Sequence, residues 1–139
     1  MARTDVALCD TSVAVALVVA DHVSHGPSAH AVDGWALGLA GHAWFETYSV
    51  LTRLPAPARR DAATVAHLLD VDFPRSRFLD EAAQAALLRR LPALGIAGGS
   101  VYDALVGAAA AHHRLPLFTR DQRALATYRA LDVDVRLIA

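Results

Sequence analysis

Short apolar runs alternate with helix-length segments along the whole chain, and this alternation constrains the fold more than any other feature. Residues 6–9, Val6-Ala7-Leu8-Cys9, are uniformly apolar and too short for a helix, so they predict a buried strand. Asp10-Thr11-Ser12 supplies helix-start chemistry, and 13–20 continues as a helix. A break over 21–27 precedes a helix expected at 28–37 and a glycine-flanked strand at 39–43. Residues 44–54 predict a helix stopped by Pro55, and Pro57 suits the first position of a helix running to 69. A short strand at 76–79, a helix opened by Asp80-Glu81 and a helix over 100–114 follow. The chain ends with a strand at 115–118, a helix started by Thr119-Arg120-Asp121 and a strand at 133–138. Strands alternating with helices predict an α/β fold, a three-layer α/β/α sandwich on a mainly parallel central sheet. No repeat or linker interrupts the pattern, so residues 1–139 read as a single domain.

Composition narrows the chemistry. All 13 basic residues are arginine, so mechanisms that need a lysine, such as P-loop phosphate binding and Schiff-base catalysis, cannot run in their usual form. The net charge of −1 gives no bulk attraction to nucleic acid. The single cysteine, Cys9, excludes an intrachain disulfide and reads as a small packing residue. No secretory signal is visible and no apolar run approaches the ~20 residues that span a bilayer, so a soluble cytoplasmic protein is expected.

Ligands of open parallel sheets bind outside the carboxyl ends of the strands. Asp10 directly follows the first strand, and Asp121 lies just beyond the strand ending at Phe118. Glu46 opens the helix after the second strand, and Asp103 falls in the first turn of the helix near Ser100. Each has an ordinary structural reading. Asp10 and Asp121 suit helix N-caps, Ser100-Val101-Tyr102-Asp103 resembles a capping box, and Glu46 suits a helix N-terminus. Together they make a second reading available. Asp103 sits in an otherwise apolar helix, and Glu46, one of two glutamates, is flanked by Trp44, Phe45 and Tyr48. Carboxylates gathered in such company repel unless a cation intervenes, and hard ions such as Mg²⁺ or Mn²⁺ are bound by oxygen clusters of this kind. The chemistry that follows is metal-assisted phosphodiester hydrolysis.

The ordered set Asp10-Thr11-Ser12-Val13, Trp44-Phe45-Glu46, Tyr102-Asp103-Ala104-Leu105 and Thr119-Arg120-Asp121 resembles PIN-domain ribonucleases, most of all the VapC toxins of bacterial toxin–antitoxin pairs. The resemblance spans nearly the whole chain. It implies a Mg²⁺- or Mn²⁺-dependent endoribonuclease that forms a homodimer and is inhibited by a cognate antitoxin protein. Carried over by position, Asp10, Glu46, Asp103 and Asp121 are the acidic quartet, with Asp10, Asp103 and Asp121 as metal ligands. Glu46 would help bind a second metal or orient the attacking water. Ser12 and Thr119 match positions of small hydroxyls that aim the carboxylates.

Other features carry less. His22, His25 and His30 match no closed zinc set, and His112-His113-Arg114 suits a helix C-terminus. Arg120 and Arg123 adjoin Asp121 and are the arginines best placed to meet RNA phosphates, while other arginine pairs read as solvated faces. Trp35, Trp44 and Tyr48 read as packing residues, and His42 has no position that pattern alone assigns. Two alternatives stay open: a PIN-like module that binds RNA or protein without cutting, and a metal-dependent phosphatase or deoxyribonuclease on the same carboxylates.

Overall fold

The structure is a computed structural model and describes residues 5–139. Its elements run β1 (Val6–Cys9), α1 (Thr11–Val18), α2 (His25–Ala31), β2 (Ala36–Leu39), α3 (Ala43–Thr52), α4 (Ala62–Asp72), α5 (Glu81–Arg90), α6 (Ser100–His113), β3 (Leu117–Thr119), a 3₁₀ turn (Gln122–Ala124), α7 (Leu125–Ala130) and β4 (Val135–Leu137). The strands form one sheet in the order β2-β1-β3-β4, every pair parallel.

Side chains alternate between the two faces of a strand, which explains the uninterrupted apolar runs of a sheet covered on both sides. Leu8 of β1 and Leu117 of β3 enter a core with Leu87, Val106 and Tyr128 from α5, α6 and α7. Ala7, Cys9 and Phe118 enter the opposite core with Val13, Leu51, Val65 and Leu69 from α1, α3 and α4. The α/β/α sandwich expected from the sequence is therefore present, with a sheet that is wholly parallel among the described residues.

Several local expectations shift. The helix expected at 28–37 is α2, which ends at Ala31, because Gly34 at φ +80° turns the chain and Ala36–Leu39 pairs with β1 instead. Pro57 does not open α4; Asp61 does, accepting from the Thr64 N–H at 3.0 Å. The expected strand at 76–79 reduces to a bridge between Ala40 and Arg77. This stretch still lies tight on β2, with Arg75 N–H bonded to Leu37 O and Arg77 N–H to Leu39 O. Gly38 permits that approach, since a Cβ there would lie 2.1 Å from the Arg75 carbonyl carbon.

Candidate active site

Parallel strands deliver the residues that follow them to one edge of the sheet, and Asp10, Thr119 and Asp121 all gather there. Asp10 caps α1 and is 5% exposed. Its Oδ1 accepts from the Ser12 hydroxyl at 2.5 Å and the Val13 N–H at 3.4 Å. Its Oδ2 accepts from the Thr119 hydroxyl at 2.5 Å and the Tyr128 hydroxyl at 2.9 Å. Both small hydroxyls are fixed in turn: Ser12 Oγ accepts from Arg120 N–H at 2.9 Å, and Thr119 Oγ1 from Asp121 N–H at 3.0 Å. The loop after β3 is thus hydrogen-bonded to the start of α1 through the groups that orient Asp10. Burial pushes the Asp10 carboxyl above its ordinary range, against the pull of the donors from Ser12, Thr119, Tyr128 and Val13.

Asp121 caps the 3₁₀ turn, accepting from Arg123 N–H at 3.0 Å, and the Arg123 guanidinium lies 3.6 Å from the same carboxylate. The capping readings of Asp10 and Asp121 are therefore realised, and they leave both carboxylates at the sheet edge. The capping box at α6 does not form. Gly99 occupies the cap position, no side chain caps the helix, and Ser100 donates backwards to Ala97 O at 2.8 Å. Asp103 instead faces the other acids. Desolvation first, then the charges of Asp121, Glu46 and Asp10, raises its pKa, against a smaller opposing effect of Arg123. Glu46 in the first turn of α3 and Asp103 in that of α6 line one cavity of about 270 Å³ with His42, Gly99 and Tyr102.

The four carboxylates share an electrostatic field and not a closed coordination sphere. Among the described residues no three His, Cys, Asp or Glu side chains sit close enough to hold an ion as they stand. The donor chemistry still suits a hard divalent cation: oxygens from four elements, Asp103 raised by desolvation and then by its like-charged neighbours, and one arginine in partial compensation. The acceptor sites of Asp10 carry four donors, of which the Val13 N–H is the most distant.

Tyr128 was not singled out from the sequence. Its place on the buried face of α7, between the buried flanking residues Ala124 and Leu131, follows from helical spacing, but a partner 118 residues away does not. Gly107 on α6 leaves room for the ring, as a Cβ there would lie 2.9 Å from Tyr128 Cδ1. Of the two arginines singled out, Arg123 extends into solvent with its side chain 94% exposed. Arg120 turns inward, donating to Ser12 O at 3.1 Å and Ser24 Oγ at 2.6 Å. His22 accepts from the Ser24 N–H, and His25 bonds to Ala16 O.

A family model described as the PIN domain matches residues 7–130. The chain belongs to the PIN-domain family. This PIN domain is 46% identical to Ribonuclease VapC27 of Mycobacterium tuberculosis over 133 residues, covering 94% of this chain and 95% of that one. It is 41% identical to Ribonuclease VapC40 of the same organism over 130 residues, covering 93% and 96%. Among solved structures, VapBC2 of Rickettsia felis bound to a DNA fragment from its promoter superposes with a TM-score of 0.67 at 10% identity, over 95% of this chain and 98% of that one. FitAcB of Neisseria gonorrhoeae gives 0.66 at 20% identity, over 94% and 95%. At these identities the structural likeness speaks to the fold, which is the PIN arrangement of helices around a parallel sheet.

Proposed function

We propose that this PIN domain is an endoribonuclease, the toxin of a toxin–antitoxin pair, and that it hydrolyses RNA phosphodiester bonds at the carboxylates of Asp10, Glu46, Asp103 and Asp121 with Mg²⁺ or Mn²⁺. What carries this reading is the charge gathered about Asp103, whose pKa is raised first by desolvation and then by the carboxylates of Asp121, Glu46 and Asp10. The identity to two proteins named as ribonucleases over nearly their whole length supports RNA as the substrate class.

In this reading Asp103 and Asp121 would hold the cation together with Asp10, which would offer its less committed oxygen, Oδ1. When bound, such an ion lowers the pKa of an attacking water and neutralises charge on the leaving oxygen. Glu46 lines the same cavity as Asp103 and would orient the water. Ser12, Thr119 and Tyr128 keep the Asp10 carboxylate in one orientation, as outer partners do for ligating groups. Arg123 offers an exposed cation to the RNA backbone, while Arg120 braces the loop that carries Asp121. A protein antitoxin would enter the anionic edge with a basic side chain, and a homodimer would cover exposed apolar residues such as Leu88, 69% exposed. Light scattering alone and with the neighbouring gene product should give a dimer and a larger complex; a strict monomer in both would count against these partners.

The test of the activity is incubation with labelled RNA and DNA oligonucleotides, with Mg²⁺ and with chelator. RNA should be cut only with the ion, leaving 5′-phosphate and 3′-hydroxyl ends. Cyclic phosphate ends would overturn hydrolysis by water, and equal cutting of DNA would favour the deoxyribonuclease alternative.

A narrower test concerns Tyr128. Tyr128→Phe keeps the ring and removes one donor from a buried carboxylate. The expected cost is about 1.5–3 kcal/mol of stability in denaturant unfolding, the range for hydrogen bonds to charged groups. Cleavage should slow about 10- to 100-fold, as for other partners of metal ligands. Wild-type cleavage by this variant would remove Tyr128 from the site.

A further inference from the structure

The cavity beside Glu46 and Asp103 has two chemically different kinds of lining. The two carboxylates line it together with the rings of His42 and Tyr102. These rings lie with centroids 5.0 Å apart and planes tilted by 30°, close to a stack. Tyr102 is 56% exposed, so its ring is held next to the acids without being covered by the fold. Gly99 completes the lining, and even a Cβ added there would meet nothing within 4 Å beyond its chain neighbours, so no side chain crowds the cavity at that residue.

A nucleotide is divided in the same way. Its phosphate is charged and suits a cation held by carboxylates; its base is a flat, largely uncharged ring that stacks on aromatic faces. The positions are linked through two helices. Tyr102 precedes Asp103 on α6, and His42 is one helical turn before Glu46 at the start of α3. A base resting on the ring pair would therefore sit at a fixed offset from a phosphate at the acids.

We propose that His42 and Tyr102 form a stacking subsite for the nucleobase of a nucleotide adjoining the cleaved phosphodiester. The subsite rests on the acidic-site reading above. It accepts single-stranded RNA, whose bases can splay out, and excludes the paired base of a duplex, whose faces are covered.

The probe is a short, labelled, single-stranded RNA of mixed sequence that contains a bond cut by the wild type, together with versions lacking one base on either side of that bond. Affinity is read by fluorescence anisotropy with Ca²⁺ in place of Mg²⁺, and KM and kcat are read in Mg²⁺. Tyr102→Ala should weaken affinity and raise KM about 5- to 100-fold, the range for loss of one stacked base, with a smaller change in kcat. Tyr102→Phe, which restores an aromatic face, should recover most of that loss. Removing the stacked base from the RNA should cost the wild type a similar factor and cost Tyr102→Ala nothing further. The subsite is overturned if Tyr102→Ala binds and cuts as wild type, or if base removal costs the variant as much as the wild type. It is also overturned if the loss appears only with a changed oligomeric state in light scattering, which would assign the ring pair to a contact between chains. If the wild type binds the RNA but cuts it with no divalent ion, the cleavage reading fails while the affinity comparison still decides the subsite.

Discussion

Asp103→Asn should abolish RNA cleavage and leave the metal-free protein at least as stable as the wild type. An ordinary first-turn acid behaves otherwise, since neutralising one costs about 0.3–1 kcal/mol of charge–dipole stabilisation. Here Asp103 makes no capping bond and faces the like charges of Asp121, Glu46 and Asp10, with Arg123 as the partial counterweight. A raised folded-state pKa means that the folded protein binds the proton more tightly than the unfolded chain. The resulting stabilisation is full below the ordinary value of 3.8 and is lost as pH rises through the folded value. In chelator, wild-type stability should therefore carry an Asp103-dependent gain on acidification just below its folded pKa, and Asp103→Asn should lack that gain. Magnesium should stabilise the wild type by mass action, about 2.7 kcal/mol at a hundredfold excess over its dissociation constant, and the variant much less. Thermal melts of both proteins, in chelator and in Mg²⁺, check the prediction. A variant that melts lower in chelator, responds to Mg²⁺ like the wild type and still cuts RNA would reduce Asp103 to a helix-end residue.

The largest stability effect away from the acids is expected at Gly38. A Cβ there would fall 2.1 Å from Arg75 C, 2.2 Å from Arg75 O and 2.4 Å from Ser76 N, all backbone atoms that no rotamer change can move. Gly38→Ala must part β2 from the 75–77 stretch and strain the bonds from Arg75 N–H to Leu37 O and Arg77 N–H to Leu39 O. Overpacking costs about 1–3 kcal/mol, and each weakened hydrogen bond about 0.5–1.5 kcal/mol more. The expected loss is about 3 kcal/mol or more, seen as a lower denaturant midpoint. Gly26→Ala in α2 is the matched control. Beyond its chain neighbours nothing lies within 4 Å of its added Cβ, and the helical gain of alanine is offset by crowding against Pro27, so the change should stay within about 1 kcal/mol in either direction. Equal midpoints for the two variants would contradict the close approach at β2.

What the sequence made legible follows from what local chemistry encodes. The apolar runs at β1 and β3 could be read because a doubly covered parallel strand needs no alternation. Asp80 before α5 was legible because capping is a matter of three residues, and its carboxylate does accept from Ala83 N–H at 2.8 Å. The placing of Asp10 and Asp121 at one edge followed from strand order and parallel pairing alone. Other features depended on distant chain. The start of β2 was misplaced because Gly38 reads as a strand breaker until the 75–77 backbone that needs it is in view. Arg120 read as an RNA contact, yet the acceptors that engage it, Ser12 O and Ser24 Oγ, lie about a hundred residues back along the chain. Tyr102 drew no notice as an aromatic because its exposure and its partner His42 arise only where α3 and α6 meet.

Anomalous diffraction from crystals of the protein soaked in Mn²⁺ tests whether the acids form one cation site. A peak bounded by the carboxylates of Asp10, Asp103 and Asp121, with Glu46 beside it, is expected, and Asp103→Asn should lose it. Absence of a peak there at Mn²⁺ concentrations that support cleavage, or a peak at His22 and His25 instead, would contradict it.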